Sequence, residues 1–427
     1  MVGPVAALRP HARPIVLVTG AKVVGGVSLL ALNVWVAQHL SPAAFGLFAI
    51  ASTGSLLVDG VVGSAVDAAV VKRADTLPGN AISAAERAGL ILKLGVGGAL
   101  CAGAAAIALV AGPAGVTIAV LSMVTGSGLL ILRSALVYLQ LRARFGRFAL
   151  LDLAHTAARW GAVAAILAAV SSSVAVIAGL ATAAWAVAGL AMVSTGIGTP
   201  VAGANRQPSD LSGVARAARV AMATTAVGAI VARLDLLLIG AFGTAAEAGI
   251  FGAASTIALA PMWLGAYLAP VFSARILPYC RDQRLAPLFR SVQRGLLALA
   301  IAGVGAGVIA GPRLIERLLP AEYAAAGDVV PVLLVAGAAG FVTFPLVLHT
   351  LLFLSPRTYL VMDLASLPIL IPLYVIAARQ SGAIGVAWVT AVAACVKAAI
   401  AQATAAAAVR REQARCAGVQ ALSAIVS

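Results

Sequence analysis

The chain has 427 residues, of which 62% are hydrophobic and only 10% are charged, and its net charge is +15. Soluble globular domains average about a quarter charged residues, so the composition excludes an ordinary soluble protein. The positive charge does not indicate a nucleic-acid partner, because such proteins concentrate their basic residues on a soluble face and no soluble domain is visible. The four cysteines show neither a CxxC motif nor metal-ligand spacing, so we expect no metal and no cofactor.

Long uncharged stretches predict transmembrane helices. No charged residue occurs between Arg159 and Arg206, which leaves room for two crossings of roughly 20 residues each. Barrel strands would alternate apolar and polar residues, and these stretches do not. The sequence therefore predicts an all-α polytopic protein with twelve spans, at 14–40, 43–70, 88–111, 115–140, 147–170, 174–198, 218–242, 247–273, 291–311, 329–354, 358–378 and 383–408.

The distribution of basic residues predicts the orientation of these spans. With a cytoplasmic N-terminus, 20 of the 29 Lys and Arg residues fall on cytoplasmic loops and ends, 3 fall outside and 6 lie within spans. Cytoplasmic loops of membrane proteins carry such an excess of positive charge. Both termini are therefore predicted to be cytoplasmic.

An internal repeat predicts two halves. GLFAIAST (46–53) and GIFGAAST (249–256) match at five of eight positions, 203 residues apart, and each follows the turn after the first span of its half. Six spans per half make the halves run in the same direction, related by an axis along the membrane normal, as in alternating-access carriers. The predicted division is a six-helix lobe at 1–200, a cytoplasmic linker at 201–217, a second six-helix lobe at 218–409 and a cytoplasmic tail at 410–427.

Charged residues within the spans are the candidate functional residues. Each costs roughly 2.5–3.5 kcal/mol at the bilayer centre on insertion scales and needs a partner or a watery cavity. The bases are Lys22, Lys93, Arg133, Arg159, Arg233 and Lys397, and the acids are Asp59, Asp67, Asp152, Asp235 and Asp363. The acids nearest a cytoplasmic end, which we expect to reach water or a loop arginine, are Asp67, Asp152 and Asp363. For the deepest residues, namely Asp59, Arg159, Arg233, Asp235 and Lys397, both cavity lining and pairing between helices remain open.

The segment RLDLLLIG (233–240) places two of these charges together. Residues at positions i and i+2 of a helix point about 200° apart, so Arg233 and Asp235 are not expected to neutralise each other. This spacing indicates a helix with protein or water on two sides. The chain has no nucleotide-binding loop and no catalytic motif of the GxSxG or HExxH kind, so we expect a protein that is not an enzyme.

Several segments resemble a known transporter family. HLSPAAFGLFAIASTGSLLVDGVVGSAV is similar to the first-hairpin pattern of the polysaccharide transporters, a branch of the multidrug/oligosaccharidyl-lipid/polysaccharide exporter superfamily. RLDLLLIGAFGTAAEAGIFGAAS resembles the seventh-span signature of that family, an aspartate followed by a glycine-containing turn and G-x-[FY]-x-x-A. LLPAEYAAAGDVVPVLL and SGAIGVAWVTAV are similar to the segment before its span ten and to its last outer turn. Together these segments extend over most of the chain.

The resemblance implies a two-lobed carrier with a central cavity, and its best-known members are Wzx-type flippases. Such proteins move undecaprenyl-pyrophosphate-linked oligosaccharides across the bacterial inner membrane for surface polysaccharide synthesis. Asp235 corresponds to the aspartate of the family pattern. Membrane lipids, a polysaccharide polymerase and glycosyltransferases are further partners that this role implies. Which glycan is moved, whether O-antigen, capsule or exopolysaccharide, is left open.

Charge and depth give the site hypothesis. Arg159, Arg233 and Lys397 would face the phosphates, because Arg and Lys hold such groups away from water. The recruiting cations in the cytoplasmic half would be Lys22, Lys93 and Arg133. Asp59 and Asp235 would tune these cations or carry a coupling ion. Two alternatives stay open: a cation-coupled multidrug antiporter of the same superfamily, and a membrane subunit of a glycan-assembly complex that transports nothing.

Overall fold

A computed structural model describes residues 9–74, 82–110, 113–196, 211–259, 286–353 and 356–426. Throughout these ranges every regular element is helical, and none is a strand. The chain divides into two compact units, Met1–Gly252 and Ala253–Ser427. The predicted all-α polytopic class is confirmed. The lobe boundaries at 1–200 and 218–409, and the cytoplasmic location of both termini, stay predictions.

The first unit contains nine complete helices and most of a tenth, as far as the structure describes it. The helices are α1 (Arg9–His39), α2 (Pro42–Val58), α3 (Ser64–Ala74), α4 (Ile82–Val110), α5 (Pro113–Leu141), α6 (Phe145–Leu167), α7 (Ser173–Thr195), α8 (Leu211–Val231), α9 (Leu234–Phe242) and α10 (Ala245–Ala258). A π-helical turn, Asp59–Gly63, joins α2 to α3. Helix α5 packs against α2, α4 and α7, while α1 packs against α6. The cores between them consist mainly of Ala, Val and Leu, small and branched side chains that allow helices to approach closely.

The second unit has one helix packed between two others. Its helices are α11 (Ala286–Leu318), α12 (Ala326–Phe353) and α13 (Pro356–Val426), with a 3₁₀ turn at Ala321–Tyr323. Helix α12 packs against both α11 and α13. Gly382 interrupts α13 with φ 57° and ψ −140°, a conformation that glycine adopts without steric cost. The predicted crossings at 358–378 and 383–408 therefore lie on either side of this break.

Most predicted spans correspond to described helices. Eight helical segments in the described ranges are long and apolar enough to cross a bilayer, among them the 45-residue segment Leu360–Thr404. Gly382 divides that segment into two parts, each about 33 Å long at 1.5 Å per residue, so each is long enough for one crossing. The predicted spans at 88–111 and 147–170 correspond to α4 and α6. The span predicted at 247–273 begins as α10, and its later part lies outside the described residues.

The span predicted at 218–242 is two helices, not one. Helix α8 ends at Val231, Arg233 has φ −128° and ψ 9°, and α9 begins at Leu234. The i, i+2 argument for Arg233 and Asp235 is therefore wrong, because it assumed one continuous helix. Asp235 lies in the first turn of α9, is buried, and accepts a hydrogen bond from the backbone N–H of Leu236 at 2.7 Å. A carboxylate is stabilised at that end of a helix, where the dipole is positive.

The internal repeat extends to the caps of two helices. Ser41 caps α2, where its hydroxyl accepts from the backbone N–H of Ala44 at 3.4 Å. Thr244 precedes α10, and its hydroxyl accepts from the backbone N–H of Glu247 at 3.1 Å. Since 41 and 244 also differ by 203, the two copies begin their second helices with equivalent caps.

The repeated segments also contact each other. A Cβ on Gly46 would overlap the carbonyl oxygen of Ala245 and lie 2.8 Å from the backbone N of Gly249. A Cβ on Gly249 would overlap the carbonyl oxygen of Pro42 and lie 3.1 Å from the backbone N of Gly46. The pairs 42/245 and 46/249 are both 203 residues apart. The contact is therefore reciprocal, which is the signature of a local two-fold axis.

Candidate functional site

Four charged side chains from three regions of the first unit form one network. Arg133 of α5 donates from Nη1 to Asp59 Oδ2 at 2.7 Å and from Nε to Asp67 Oδ2 at 2.8 Å. Lys93 of α4 donates from Nζ to the other oxygen of Asp67, Oδ1, at 2.5 Å. These four residues are called the charged network below. With two bases and two acids it is formally neutral, as charges within a membrane need to be.

The π-helical turn positions Asp59 in this network. A single π turn adds one residue to a helical turn and occurs frequently at functional sites. At its end, a Cβ on Gly63 would lie 2.7 Å from Asp59 Oδ1 and 3.1 Å from Arg133 Cδ. The absence of a side chain there allows the carboxylate and the guanidinium to meet. Asp59 Oδ1 is buried and has no hydrogen-bond partner within the described part of the chain.

A second group of polar side chains lies between α1 and α6. Lys22 donates to Asp152 Oδ1 at 2.9 Å, and Trp160 Nε1 donates to Ser28 Oγ at 2.6 Å. From the first pair to the second, residue numbers increase along both helices, so α1 and α6 run parallel. A parallel arrangement is expected, because these helices correspond to the first and fifth predicted spans, which cross the membrane in the same direction. We call Lys22, Ser28, Asp152, His155, Thr156, Arg159 and Trp160 the α1–α6 polar seam.

Helical spacing explains why the seam is polar. Asp152, His155, Thr156 and Arg159 are three or four residues apart, so they share one face of α6. The Thr156 hydroxyl donates to the carbonyl oxygen of Asp152 at 3.1 Å. At the far end of the seam, the Trp160 ring stacks on Trp35 with centroids 5.4 Å apart and an interplanar angle of 19°. The arrangement places charged groups and an aromatic pair side by side on the same two helices.

His155 has no assigned partner in the seam. Its Nε2 is buried and has no hydrogen-bond partner among the described residues. The charged groups that act electrostatically on its ring are Arg159 and Lys22. Buried polar atoms are almost always hydrogen-bonded, so this nitrogen requires an explanation.

The second unit carries one ion pair within α13. Lys397 donates to Asp363 Oδ1 at 2.7 Å, across the break at Gly382. The lysine side chain is 42% exposed and the aspartate is 10% exposed. Tyr374 and Thr390 share a hydrogen bond of 3.1 Å across the same break. These two contacts hold the two parts of α13 side by side.

Four bases have an observed aspartate partner, and three of these bases have side chains that are more exposed than those of their aspartates. The side chains of Lys22, Arg133 and Lys397 are 39%, 37% and 42% exposed, whereas those of their aspartates are between 10% and 20% exposed. Lys93 is the exception, with a side chain that is only 1% exposed. The accessible ends of these pairs are therefore positive, while the carboxylates lie behind them.

A further ion pair lies at the predicted cytoplasmic end. Arg142, just after α5, donates to Glu86 near the start of α4, and its guanidinium lies 3.7 Å from the centroid of the Tyr138 ring. Burial raises the pKa of Glu86, and the neighbouring Arg142 opposes that rise. This pair ties α4 to α5 outside the predicted spans.

The structure groups the candidate residues differently from the sequence hypothesis. Lys93, Arg133 and Asp59 meet in the charged network, Lys22 and Arg159 lie in the α1–α6 polar seam, and Lys397 pairs within the second unit. The expectation that the shallow aspartates reach water or loop arginines stays a prediction. Each contacts a base within the helices, as Asp67, Asp152 and Asp363 show. The sequence reasoning missed His155, although its spacing from Asp152 and Arg159 on α6 was visible.

No group of three or more His, Cys, Asp or Glu residues that could hold a metal ion occurs among the described residues. The chain matches no protein-family model, and no curated protein matches it in sequence.

Solved structures of transporters share its fold. The lipid II flippase MurJ, in an inward closed conformation, aligns with a TM-score of 0.71 at 12% identity, covering 91% of this chain and 87% of that chain. An inward-facing multidrug resistance MATE family transporter of the MOP superfamily aligns with a TM-score of 0.64 at 15% identity, covering 92% and 98%. A MOP superfamily transporter from Pyrococcus furiosus, described as having a binding pocket of reverse polarity, aligns with a TM-score of 0.64 at 13% identity, covering 94% and 96%.

These similarities establish a fold. The chain is a multi-pass helical membrane protein whose fold is shared by MOP superfamily transporters and by a lipid II flippase. Identities of 12–15% show the architecture alone, so the particular substrate has to be argued from the chain's own side chains.

Proposed function

We propose that the protein is a flippase, not an enzyme, for an oligosaccharide linked to undecaprenyl pyrophosphate. It would work in the bacterial inner membrane, supply surface polysaccharide synthesis and use alternating access between its two halves. In this role it acts with membrane lipids and with the polymerase and glycosyltransferases that use the same carrier. The fold shared with the lipid II flippase MurJ is compatible with this role.

One observation carries the proposal: the exposed members of the ion pairs are the bases. Lys22, Arg133 and Lys397 present positive groups, and their carboxylate partners are recessed. A pyrophosphate headgroup is an anion that forms strong charge-assisted hydrogen bonds with Arg and Lys. Because each base already has a carboxylate partner, it is kept charged and in position before the substrate arrives. The substrate phosphate then competes with a carboxylate for the same base.

The same observation argues against the multidrug antiporter. A cationic drug needs an accessible carboxylate, whereas Asp59, Asp67, Asp152 and Asp363 are each bound to a base at 2.5–2.9 Å. A drug would have to displace an internal cation that is already well placed. The antiporter remains the second candidate because the fold includes MATE family transporters. A subunit without transport activity, the third candidate, gives no role to the exposed bases.

A transport assay tests the proposal directly. Full-length protein in proteoliposomes would be supplied with an undecaprenyl-pyrophosphate-linked oligosaccharide that carries a fluorescent label, and leaflet exchange would be followed by quenching from one side. Ethidium uptake driven by a proton or sodium gradient would be measured with the same vesicles. The proposal expects exchange of the labelled lipid and no ethidium uptake. Ethidium uptake without lipid exchange would establish the antiporter instead.

A matched pair of variants separates a substrate role of the bases from general damage. Lys22→Gln removes a half-exposed seam cation, and Arg317→Gln removes an exposed cation near the end of α11 that belongs to none of the networks described above. Lys22→Gln should lower lipid exchange severalfold at normal membrane abundance, while Arg317→Gln should not. In a deletion strain of the source bacterium, Lys22→Gln should restore little surface glycan, whereas Arg317→Gln should restore the full amount. Full activity of Lys22→Gln would remove this base from the site.

A further inference from the structure

His155 is the buried titratable group for which the proposed function gives no role. Its Nε2 is buried without a partner among the described residues, although it lies in a face of α6 that is otherwise well bonded. Asp152 accepts from Lys22, the Thr156 hydroxyl donates to a backbone carbonyl, and Trp160 donates to Ser28. The seam therefore satisfies its neighbouring polar groups and leaves a nitrogen available.

The charges around His155 define what can bind there. Arg159 is one helical turn beyond it on the same face, and Lys22 faces that side of α6 from α1. Both bases act on the imidazole ring. Because Asp152 accepts from Lys22, the seam carries two cations and one carboxylate, a net positive charge that disfavours a metal ion or an ammonium group and favours an anion. An imidazole nitrogen that carries a proton can donate to an anionic oxygen.

The shape of the seam also suits a rigid subsite. Gly25 of α1 lies close to the polar face of α6, since a Cβ at that position would be in van der Waals contact with Thr156 Oγ1 at 3.7 Å and Asp152 Oδ2 at 4.0 Å. The Trp160 indole is fixed by its bond to Ser28 and by stacking on Trp35. Side chains held in this way lose little further entropy when a ligand binds, which favours affinity.

We propose that the α1–α6 polar seam is a subsite for the phosphate groups of an isoprenoid-linked diphosphate, in which His155 Nε2 donates a hydrogen bond and Arg159 and Lys22 supply positive charge. The inference rests on the proposed function and deepens it by naming where the headgroup binds. His155 is thereby a substrate-contacting residue. The hydrogen bond from His155 would orient the phosphate group, which the charges of two flexible side chains alone would not do.

Equilibrium binding to the full chain tests the subsite. The protein would be placed in nanodiscs of phosphatidylcholine, which has no net charge, and titrated with radiolabelled farnesyl diphosphate. Farnesol serves as the neutral comparison and inorganic pyrophosphate as the comparison without a lipid. The wild type should bind farnesyl diphosphate much more tightly than either.

The variants are His155→Leu, His155→Gln and Arg159→Gln, with Arg317→Gln as the control on an exposed residue that belongs to none of the networks described above. A hydrogen bond to a charged group contributes enough that His155→Leu and Arg159→Gln should each weaken farnesyl diphosphate binding about tenfold or more. His155→Gln keeps an N–H donor and should recover part of the loss. Farnesol binding should not change in any variant, which also shows that each one is folded.

The outcomes distinguish the subsite from the function. Wild-type affinity of His155→Leu and Arg159→Gln for farnesyl diphosphate would overturn the subsite and leave the flippase proposal intact. If the wild type binds farnesol as tightly as farnesyl diphosphate, the flippase proposal itself fails. A third outcome is that the wild type binds inorganic pyrophosphate as tightly as farnesyl diphosphate, with that binding lost in His155→Leu. This result would assign the seam to free pyrophosphate and overturn its assignment to a lipid.

Discussion

Lys93 Nζ lies 2.5 Å from Asp67 Oδ1, and the lysine side chain is 1% exposed. A buried ion pair is costly to desolvate, and removal of one partner leaves the other charge without compensation. Asp67 also accepts a hydrogen bond from Arg133, whose side chain is 37% exposed, so the buried Lys93–Asp67 pair is connected to an accessible base. Lys93 is therefore the base that holds Asp67 in place, and Arg133 is the base that can meet a ligand.

The first prediction concerns this buried pair. Lys93→Met should lower the free energy of unfolding by about 3–5 kcal/mol, since Asp67 loses its buried partner. The double variant Lys93→Met/Asp67→Leu should recover much of that loss, because no uncompensated charge remains and Arg133 keeps Asp59. Thermal unfolding of detergent-solubilised protein measures both. Arg317→Met, which removes an exposed base that belongs to none of these ion pairs, should cost only about 1 kcal/mol or less. Equal losses in Lys93→Met and Arg317→Met would contradict the role assigned to burial.

The second prediction concerns the π-helical turn. Gly63→Ala adds a Cβ 2.7 Å from Asp59 Oδ1 and 3.1 Å from Arg133 Cδ, so the pair must separate. Lipid exchange in proteoliposomes should fall severalfold. Gly60→Ala is the matched control in the same turn, because a Cβ there meets nothing within 4 Å. Normal exchange in both variants would show that the Asp59–Arg133 contact is not needed for transport.

The third prediction concerns the reciprocal glycine contact. Gly46→Ala and Gly249→Ala each place a Cβ against a backbone carbonyl, which cannot move aside as a side chain can. Each should destabilise the protein by about 1–3 kcal/mol, the usual cost of overpacking. Gly95→Ala is the control, since open space surrounds that position. Unfolding temperatures that match for all three variants would argue against close packing of α2 on α10.

The fourth prediction concerns the break in α13. Gly382 has φ 57° and ψ −140°, a conformation that residues with a Cβ rarely adopt, so Gly382→Ala should introduce strain of about 1–3 kcal/mol. Lengthening one helix through the break would separate Tyr374 from Thr390 and Lys397 from Asp363. Cysteines placed at positions 374 and 390 should be joined by a short bifunctional thiol cross-linker when glycine is kept at the break, and more slowly when they are combined with Gly382→Ala. An unchanged rate of cross-linking would show that glycine is not required there.

The sequence predicted the features that depend on composition along the chain. Apolar length predicted the helices, and the spacing of GLFAIAST and GIFGAAST predicted related segments, whose caps at Ser41 and Thr244 the structure shows to be equivalent. Partner choice was not predictable, because the pairing of Asp67 with Lys93 depends on which helices become neighbours. The break before Leu234 was also missed, since no glycine or proline marks residues 231–234 as a helix end.

The reciprocal contact between Gly46 and Gly249 has a consequence for the origin of the chain. In a dimer of identical subunits, residue i of one copy contacts residue j of the other, and j contacts i in return. Pro42 with Gly249 and Ala245 with Gly46 follow that rule within a single polypeptide. Two copies of a half-length chain related by a two-fold axis would make the same contact. If the chain arose by joining two such copies, each half could change its charged residues independently, but neither could replace its glycine without losing the fit to the other.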